Sequence, residues 1–399
     1  MRILLADALP DACVDALRRA GDTVTVEAGL TTPDLPGAVA DHEVLVVRST
    51  RVDAATIDAG HQLGLIVRAG AGTNTIDCEH AAHRGVHVCN VPGRNALAVA
   101  ELTLGLILAV DRHIADATAD LRAGRWNKKA YADAAGLAGR RLGIIGLGEI
   151  GLAVARRARG FEMEVRAQAK PGRDPARVAR AVEAGVELVD TLEEVLDADV
   201  VSLHVPVTPA TTGLVDDAFL AAMRDGAILV NTSRGEIVDE PALLRALDER
   251  GMRAGLDVFV DEPGAGVGTI DSALARHPRV VGTHHIGAST RQAQEAVAAG
   301  TVEVIEAYRS GQVVNCVNLA AAPPRTGTLV VRHLDRVGVL AAVFDLLRRH
   351  DVNVETMSNR VFEGAVAAVA SIDVNGPAAE LLPELASLPD VIGVTFTPT

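Results

Sequence analysis

The 399 residues exceed what one hydrophobic core organises, so two to three domains are expected. Lys plus Arg number 38 against 52 Asp plus Glu, and the resulting charge of −14 repels phosphate backbones, arguing against a nucleic-acid partner. The four cysteines lack C-x-x-C spacing, and no apolar run suits a signal segment or a bilayer span. A cytoplasmic protein with no membrane partner, no disulfide frame and no metal site is therefore expected.

Over the first 90 residues, β-rich runs at Ile3–Ala6, Val44–Val47, Ile66–Ala69 and Val86–Asn90 alternate with helical spacing at Asp11–Ala20, Asp53–Ala59 and Asp77–Arg84. This alternation predicts a parallel sheet covered by helices. A single long helix is predicted from Asn95 to about Leu121, bridging two domains. A second series follows from Arg141, with strands predicted at Leu142–Ile145, Met163–Ala167, Val200–Leu203, Ala227–Asn231, Ala254–Val258 and Val280–Thr283. The helical stretch Gln292–Ser310 returns the chain toward the first domain. Ala320–Thr326 reads as a proline-bearing linker. After it the order β-α-β-β-α-β is expected, from Thr328–His333, Val337–His350, Val354–Arg360, Val366–Val374, Ala378–Leu388 and Ile392–Thr397. The expected plan is a substrate domain from 1–95 with 287–318, a dinucleotide domain at 96–286, a linker at 319–327 and a C-terminal module at 328–399.

Directly after the strand ending at Ile145 comes Gly146-Leu-Gly148-Glu149-Ile150-Gly151, opening a helical run. This G-x-G-x-x-G sits in the strand-to-helix context of a dinucleotide fold. Gly146 permits the tight turn, Gly148 the approach of backbone to pyrophosphate, and Gly151 the packing of helix on strand. Such folds place an acid about twenty residues on, at the end of the second strand. Here that strand runs into Gln168-Ala169-Lys170, and Arg173 follows. NAD is the expected cofactor, with NADP an open alternative because no acidic residue ends the strand.

Three later motifs lie at the C-terminal ends of predicted strands, where open α/β sheets bind ligands. They are Thr232-Ser233-Arg234-Gly235, Gly255-Leu-Asp257 through Glu262-Pro263, and His284-His285-Ile-Gly287-Ala288. Imidazole suits proton transfer near neutral pH, a neighbouring carboxylate orients it, and a guanidinium fork matches a substrate carboxylate. In this order and with the glycine turn, the motifs resemble the D-isomer-specific 2-hydroxyacid dehydrogenase family. The resemblance covers nearly all of the first 318 residues. It implies a Rossmann-type doubly wound α/β domain plus a flavodoxin-like substrate domain, moving a hydride between NAD(P) and a 2-hydroxy acid. It implies Arg234 as the substrate-orienting arginine, Glu262 as the dyad carboxylate and His285 as the acid–base. Asp257 would bind the nicotinamide carboxamide. Ala169, Val205, Thr232, Ser233, Gly287 and Ala288 join Gly146 to Gly151 as cofactor residues. His284 departs from the family, which usually carries proline there.

Arg48, Ala71, Gly72 and Asn95 lie in stretches that match the family's substrate loops, and Lys128 in one that some members present to a neighbouring subunit together with Trp126. The tail's element order resembles a ferredoxin-like ACT domain. His333, Asp335 and Asn353 match its amino-acid site, with serine the implied effector. Asp335 stands where asparagine is usual, and Val337 where proline is usual. An ACT tail on this family implies oxidation of D-3-phosphoglycerate, the first step of L-serine biosynthesis, in a homodimer or homotetramer. A glyoxylate or hydroxypyruvate reductase is the near alternative, and a dinucleotide-sensing co-repressor-like protein the remote one.

Overall fold

Short runs of Val, Ile and Leu pair into three sheets in a computed structural model that describes residues 1–263, 267–320 and 323–399. The chain divides into two units, Met1–Asn318 and Leu319–Thr399. Residues 321–322 of the expected linker lie outside the described residues.

The first sheet of the larger unit holds β1 (Arg2–Leu5), β2 (Thr23–Val26), β3 (Val44–Val47), β4 (Leu65–Arg68) and β5 (His87–Asn90). Its parallel order β2-β1-β3-β4-β5 is flavodoxin-like. Helices on both faces bury its strands, so β3 reads as a continuous apolar run rather than an alternating one. Aspartates start several of these helices: Asp53 and Asp77 accept the backbone N–H groups of Thr56 and His80.

The second sheet holds β6 (Arg141–Ile145), β7 (Glu164–Gln168), β8 (Val186–Val189), β9 (Val200–Leu203), β10 (Ile228–Asn231), β11 (Arg253–Leu256) and β12 (Val280–Gly282). The order β12-β11-β10-β9-β6-β7-β8 is the doubly wound arrangement, reversing direction between β6 and β9. One core lies on each face, the first around Leu142, Ile144 and Val154, the second around Leu203, Leu229 and Leu243. Each such buried aliphatic side chain contributes about 1.5–3 kcal/mol.

The predicted helix Asn95–Leu121 is two helices, Ala96–Asp111 and Ile114–Arg122. His113 between them adopts a left-handed φ of 52°, which ends the first helix without glycine or proline. The chain crosses between the sheets twice, after β5 through Asn95 and after β12 through His285. After the second crossing, the helix Arg291–Arg309 places Val297, Ala298, Val304 and Ile305 in the first sheet's core. The following segment binds β5, with Asn90 N–H donating to Asn315 O and Val317 N–H to Val88 O.

The smaller unit holds β13 (Gly327–Leu334), β14 (Asn353–Val361), β15 (Ala367–Asn375) and β16 (Val391–Pro398) in the antiparallel order β14-β15-β13-β16. With the helix Val339–Arg349 and the helical turns Ala378–Ala386 this is a ferredoxin-like α+β fold. Among the described residues no helix is long and apolar enough to cross a membrane.

Candidate active site

The turn after β6 is shaped by what its glycines touch. Gly146 has a φ of +104°, and a Cβ there would lie 2.3 Å from the carbonyl oxygen of His204. A Cβ at Gly151 would lie 2.1 Å from Gly146 O, so helix and strand are already in closest contact. A Cβ at Gly148 would meet nothing within 4 Å. Gly148 also starts the helix Glu149–Arg159 without any side-chain cap. An open, uncapped helix N-terminus beside a tight turn fits a dinucleotide pyrophosphate. Glu149 is taken up by Arg180, whose Nη1 and Nη2 donate to its two oxygens at 2.7 and 2.6 Å. That bond holds the Glu149 carboxyl below its usual range.

The other expected cofactor residues line the same edge of the sheet. Ile150 packs against the core, and Val205 Cγ1 stands against Gly146. Thr232 Oγ1 meets Thr103 Oγ1 at 3.0 Å, Ser233 Oγ donates to Leu203 O, and Ala169 N–H donates to Val189 O. His204, directly after β9, has a buried Nδ1 with no partner, and desolvation pushes its pKa down to about 3.

A cleft of about 1070 Å³ opens between the two sheets of the larger unit. It is lined by Arg48, Arg68 and Asn95 from the first lobe and by Arg234, Asp257, Glu262, His285 and Ala288 beyond it. Glu262 Oε2 accepts from His285 Nδ1 at 2.6 Å, and the bond falls on His285 rather than neighbouring His284. Oε1 of the same carboxylate accepts from Phe259 N–H at 2.9 Å. His285 has a left-handed φ of 52°, a conformation that costs energy in a β-carbon-bearing residue and is held by its surroundings.

Asp257 does the holding. Buried to 1% exposure, it accepts from Thr283 Oγ1 and Ile286 N–H with Oδ1 and from Gly287 N–H with Oδ2. Its backbone carbonyl accepts from His285 N–H at 2.8 Å. The sequence suggested only a cofactor contact for this residue; it also fixes the histidine loop.

Three guanidinium groups gather at the cleft, Arg48 and Arg68 on one side and Arg234 on the other. Arg234, which ends the strand-turn after β10, abuts Gly72, where a Cβ would lie 2.3 Å from Arg234 Nη2. Ala71 precedes it, with its carbonyl held by Asn90 Nδ2. Arg68 was not picked out as a site residue by sequence, although it stands in a matching substrate-loop motif. Its Nε is buried without a partner, and burial together with the charges of Arg234 and Arg48 lowers its pKa to about 10. The nearby carboxylate of Asp7 is spent on the backbone N–H groups of Arg48, Ser49 and Thr50. Thr75 Oγ1 and Asn95 Oδ1, both in the cleft lining, are also buried and unpartnered. Such orphaned groups are what a polar ligand would satisfy.

Two expectations do not assemble within one chain. Lys128 begins a short 3₁₀ turn in a fully exposed stretch and is not part of the cleft lining, because residues 121–130 project into solvent. In the smaller unit, β13 and β14 both pair antiparallel with β15 and so run parallel to each other. Asn353 therefore pairs at the Asn375 end of β15, while His333 pairs with Ala368 at the other. His333 is 2% exposed and is held by Leu334 O and Asn359 Oδ1, and Asp335 is exposed beyond it. Among the described residues no cluster of three or more His, Cys, Asp or Glu side chains could hold a metal ion.

Residues 104–287 match the family described as D-isomer specific 2-hydroxyacid dehydrogenase, NAD binding domain. A hydroxypyruvate reductase of Thermotoga maritima is 40% identical over 306 residues, covering 76% of this chain and 97% of that protein. The chain belongs to the D-isomer-specific 2-hydroxyacid dehydrogenases. A D-3-phosphoglycerate dehydrogenase of Methanocaldococcus jannaschii is 40% identical over 328 residues, covering 81% of this chain and 60% of that protein. The chain thus spans 60 to 64% of the length of the first phosphoglycerate dehydrogenases it matches. Among solved structures, a Thermus thermophilus protein aligns with a TM-score of 0.69 at 37% identity, covering 79% of this chain and all of that one. In this dehydrogenase the matched stretch takes in the glycine turn, Arg234, Asp257, Glu262 and His285, while Arg48 and Arg68 lie outside it.

Proposed function

We propose that this dehydrogenase oxidises D-3-phosphoglycerate at C2 to 3-phosphohydroxypyruvate, the first step of L-serine biosynthesis. The observation that carries the reading is the convergence of Arg48, Arg68 and Arg234 on the cleft that holds the His285–Glu262 pair. A substrate with a carboxylate and a phosphate brings two anionic groups, and three cations with one committed carboxylate suit it. Arg234 binds the C1 carboxylate and the C2 oxygen, while Arg48 and Arg68 hold the phosphate. Glu262 accepts from Nδ1, which leaves His285 Nε2 free to take the hydroxyl proton. The charge that then develops on the imidazole is met by the Glu262 carboxylate. A bound nicotinamide dinucleotide, held at Gly146–Gly151, Ala169, Val205, Thr232, Ser233, Asp257, Gly287 and Ala288, supplies the hydride acceptor.

The C-terminal unit acts on this reading as an ACT module. Because Asn353 and the His333–Asp335 end lie at opposite ends of its sheet, an amino-acid effector such as serine would bridge two copies. Exposed Trp126, at 83%, and Lys128 beside it suit contact with a second copy, giving a homodimer or homotetramer. Four free cysteines suit the reducing cytoplasm as its compartment.

The test is absorbance at the reduced-nicotinamide band, with 3-phosphoglycerate at alkaline pH and a trap for the keto product. Turnover that disappears in His285→Ala and survives in His284→Ala supports the assignment, and the reverse pattern overturns it. The near-complete coverage of the Thermotoga maritima hydroxypyruvate reductase favours a second reading, reduction of hydroxypyruvate. Activity on hydroxypyruvate with none on 3-phosphoglycerate would select it.

A further inference from the structure

We propose that the dinucleotide taken by this site is the 2′-phosphorylated one, and that Lys170 and Arg173 receive its 2′-phosphate. The inference rests on the dehydrogenase reading for its cofactor class and goes beyond it in choosing NADP.

The first observation is what ends β7. Gln168 is the last residue of the strand, and its side-chain amide is spent on Asp190 O at 3.3 Å. Ala169 follows, where an acid would accept the ribose hydroxyls and repel a phosphate. With alanine there, both the attraction for a bare ribose and the repulsion of a 2′-phosphate are missing.

The second observation is the turn itself. Arg173 N–H donates to Lys170 O at 3.3 Å, and Gly172 has a φ of +74°. With Pro171 at the second position, this is the signature of a type II turn. Such a turn brings its end residues within about 7 Å, here Lys170 and Arg173. Two like-charged side chains rooted on one four-residue turn favour an anion between them. Arg173 Nη1 is moreover buried with no hydrogen-bond partner, a donor that an anionic oxygen would satisfy.

The third observation is the surrounding charge. Residues 166–180 carry five cations and one acid in a chain whose net charge is −14. Arg166 is neutralised by Glu187 and Arg180 by Glu149. Lys170, Arg173 and Arg177 have no ion-pair partner among the described residues. Of the acids nearby, Asp174 accepts from Ala176 N–H at 2.9 Å, and Asp190 follows β8, the strand beyond β7 from the glycine turn. A phosphate monoester of charge about −1.5 to −2 is the complement of this loop.

Calorimetric titration with 2′,5′-ADP and with 5′-ADP reads the subsite without turnover. The expected result is at least tenfold tighter binding of 2′,5′-ADP, with the advantage shrinking at higher salt. In the Lys170→Ala/Arg173→Ala variant, that affinity ratio falls at least tenfold, and Ala169→Asp inverts it. Equal or tighter binding of 5′-ADP, or a ratio unmoved in the double variant, overturns the proposal. Turnover of 3-phosphoglycerate with NAD preferred overturns this inference and leaves the proposed oxidation standing. Tight NADP binding without turnover of 3-phosphoglycerate does the opposite.

Discussion

Oε2 of Glu262 lies 2.6 Å from Nδ1 of His285, while Oε1 is held by the Phe259 backbone, so the group that orients the imidazole is itself fixed. Burial raises the Glu262 pKa, but the His285 bond, the Phe259 N–H and the charges of His285 and Arg234 together bring it below its usual 4.5. A carboxyl depressed by folding stabilises the folded state above the ordinary carboxylate range and loses that contribution as pH falls through the folded value. Glu262→Gln should therefore be less stable than the native protein near neutral pH, with the gap closing as pH falls below the ordinary carboxylate range. Urea denaturation across that range measures it. Turnover of 3-phosphoglycerate should drop about 10²- to 10⁴-fold in the same variant. A constant stability gap at all pH values would contradict the pairing.

Arg68 is a half-buried cation without a carboxylate partner, its Nε buried and unpaired, which the fold tolerates at a cost. Replacing it with methionine should raise stability by about 1–3 kcal/mol, since an unsatisfied charged donor disappears. The same change should raise KM for 3-phosphoglycerate at least tenfold. Thermal unfolding and initial rates, compared on one preparation, test both directions at once. A destabilised variant would mean that Arg68 serves the fold.

The second and third glycines of the turn after β6 should fail in different ways. Gly151→Ala forces a Cβ to 2.1 Å from Gly146 O, so helix and strand must part and the melting temperature should fall. Gly148→Val enters open space and should leave the melting temperature within a few degrees. It should nonetheless reduce dinucleotide affinity by tenfold or more, because the side chain fills the pyrophosphate's place. Calorimetry of unfolding and of nucleotide binding separates the two.

Asp257 offers acceptors to three donors of the histidine loop, and an asparagine amide could serve only part of that set. Asp257→Asn should cost about 1.5–3 kcal/mol of stability, the range for a lost charge-assisted bond. With His285 displaced, kcat should fall by about 10²-fold. Retained kcat with a raised KM for the dinucleotide alone would instead make Asp257 a cofactor contact only.

Much of this was legible in sequence because buried strands and the glycine turn write themselves locally. Val44–Val47 is apolar throughout and Val200–Leu203 is apolar but for Ser202, and the sheets use those residues. The strands that escaped notice, Thr23–Val26 and Val186–Val189, are edge strands of their sheets. One side of an edge is solvated, so their sequences interleave polar residues and lack a continuous run. The short helix Leu35–Val39 and the break at His113 escaped for a related reason: neither is marked by a strong local signal. Arg68 was hidden differently. Its importance lies in the company of Arg48 and Arg234, 20 and 166 positions away in the chain, a proximity only the folded lobes create.

The two crossings between the lobes carry Asn95 and His285. A body tethered to another at two separate points can swing about the line through them but cannot slide or spin freely. Opening and shutting of this cleft is thereby restricted to a door-like arc. The residues at the pivot are those that greet the reactant, so a swing about that line leaves the imidazole nearly in place. Reproducible placement of the proton acceptor follows from how the chain is threaded, before any reactant arrives.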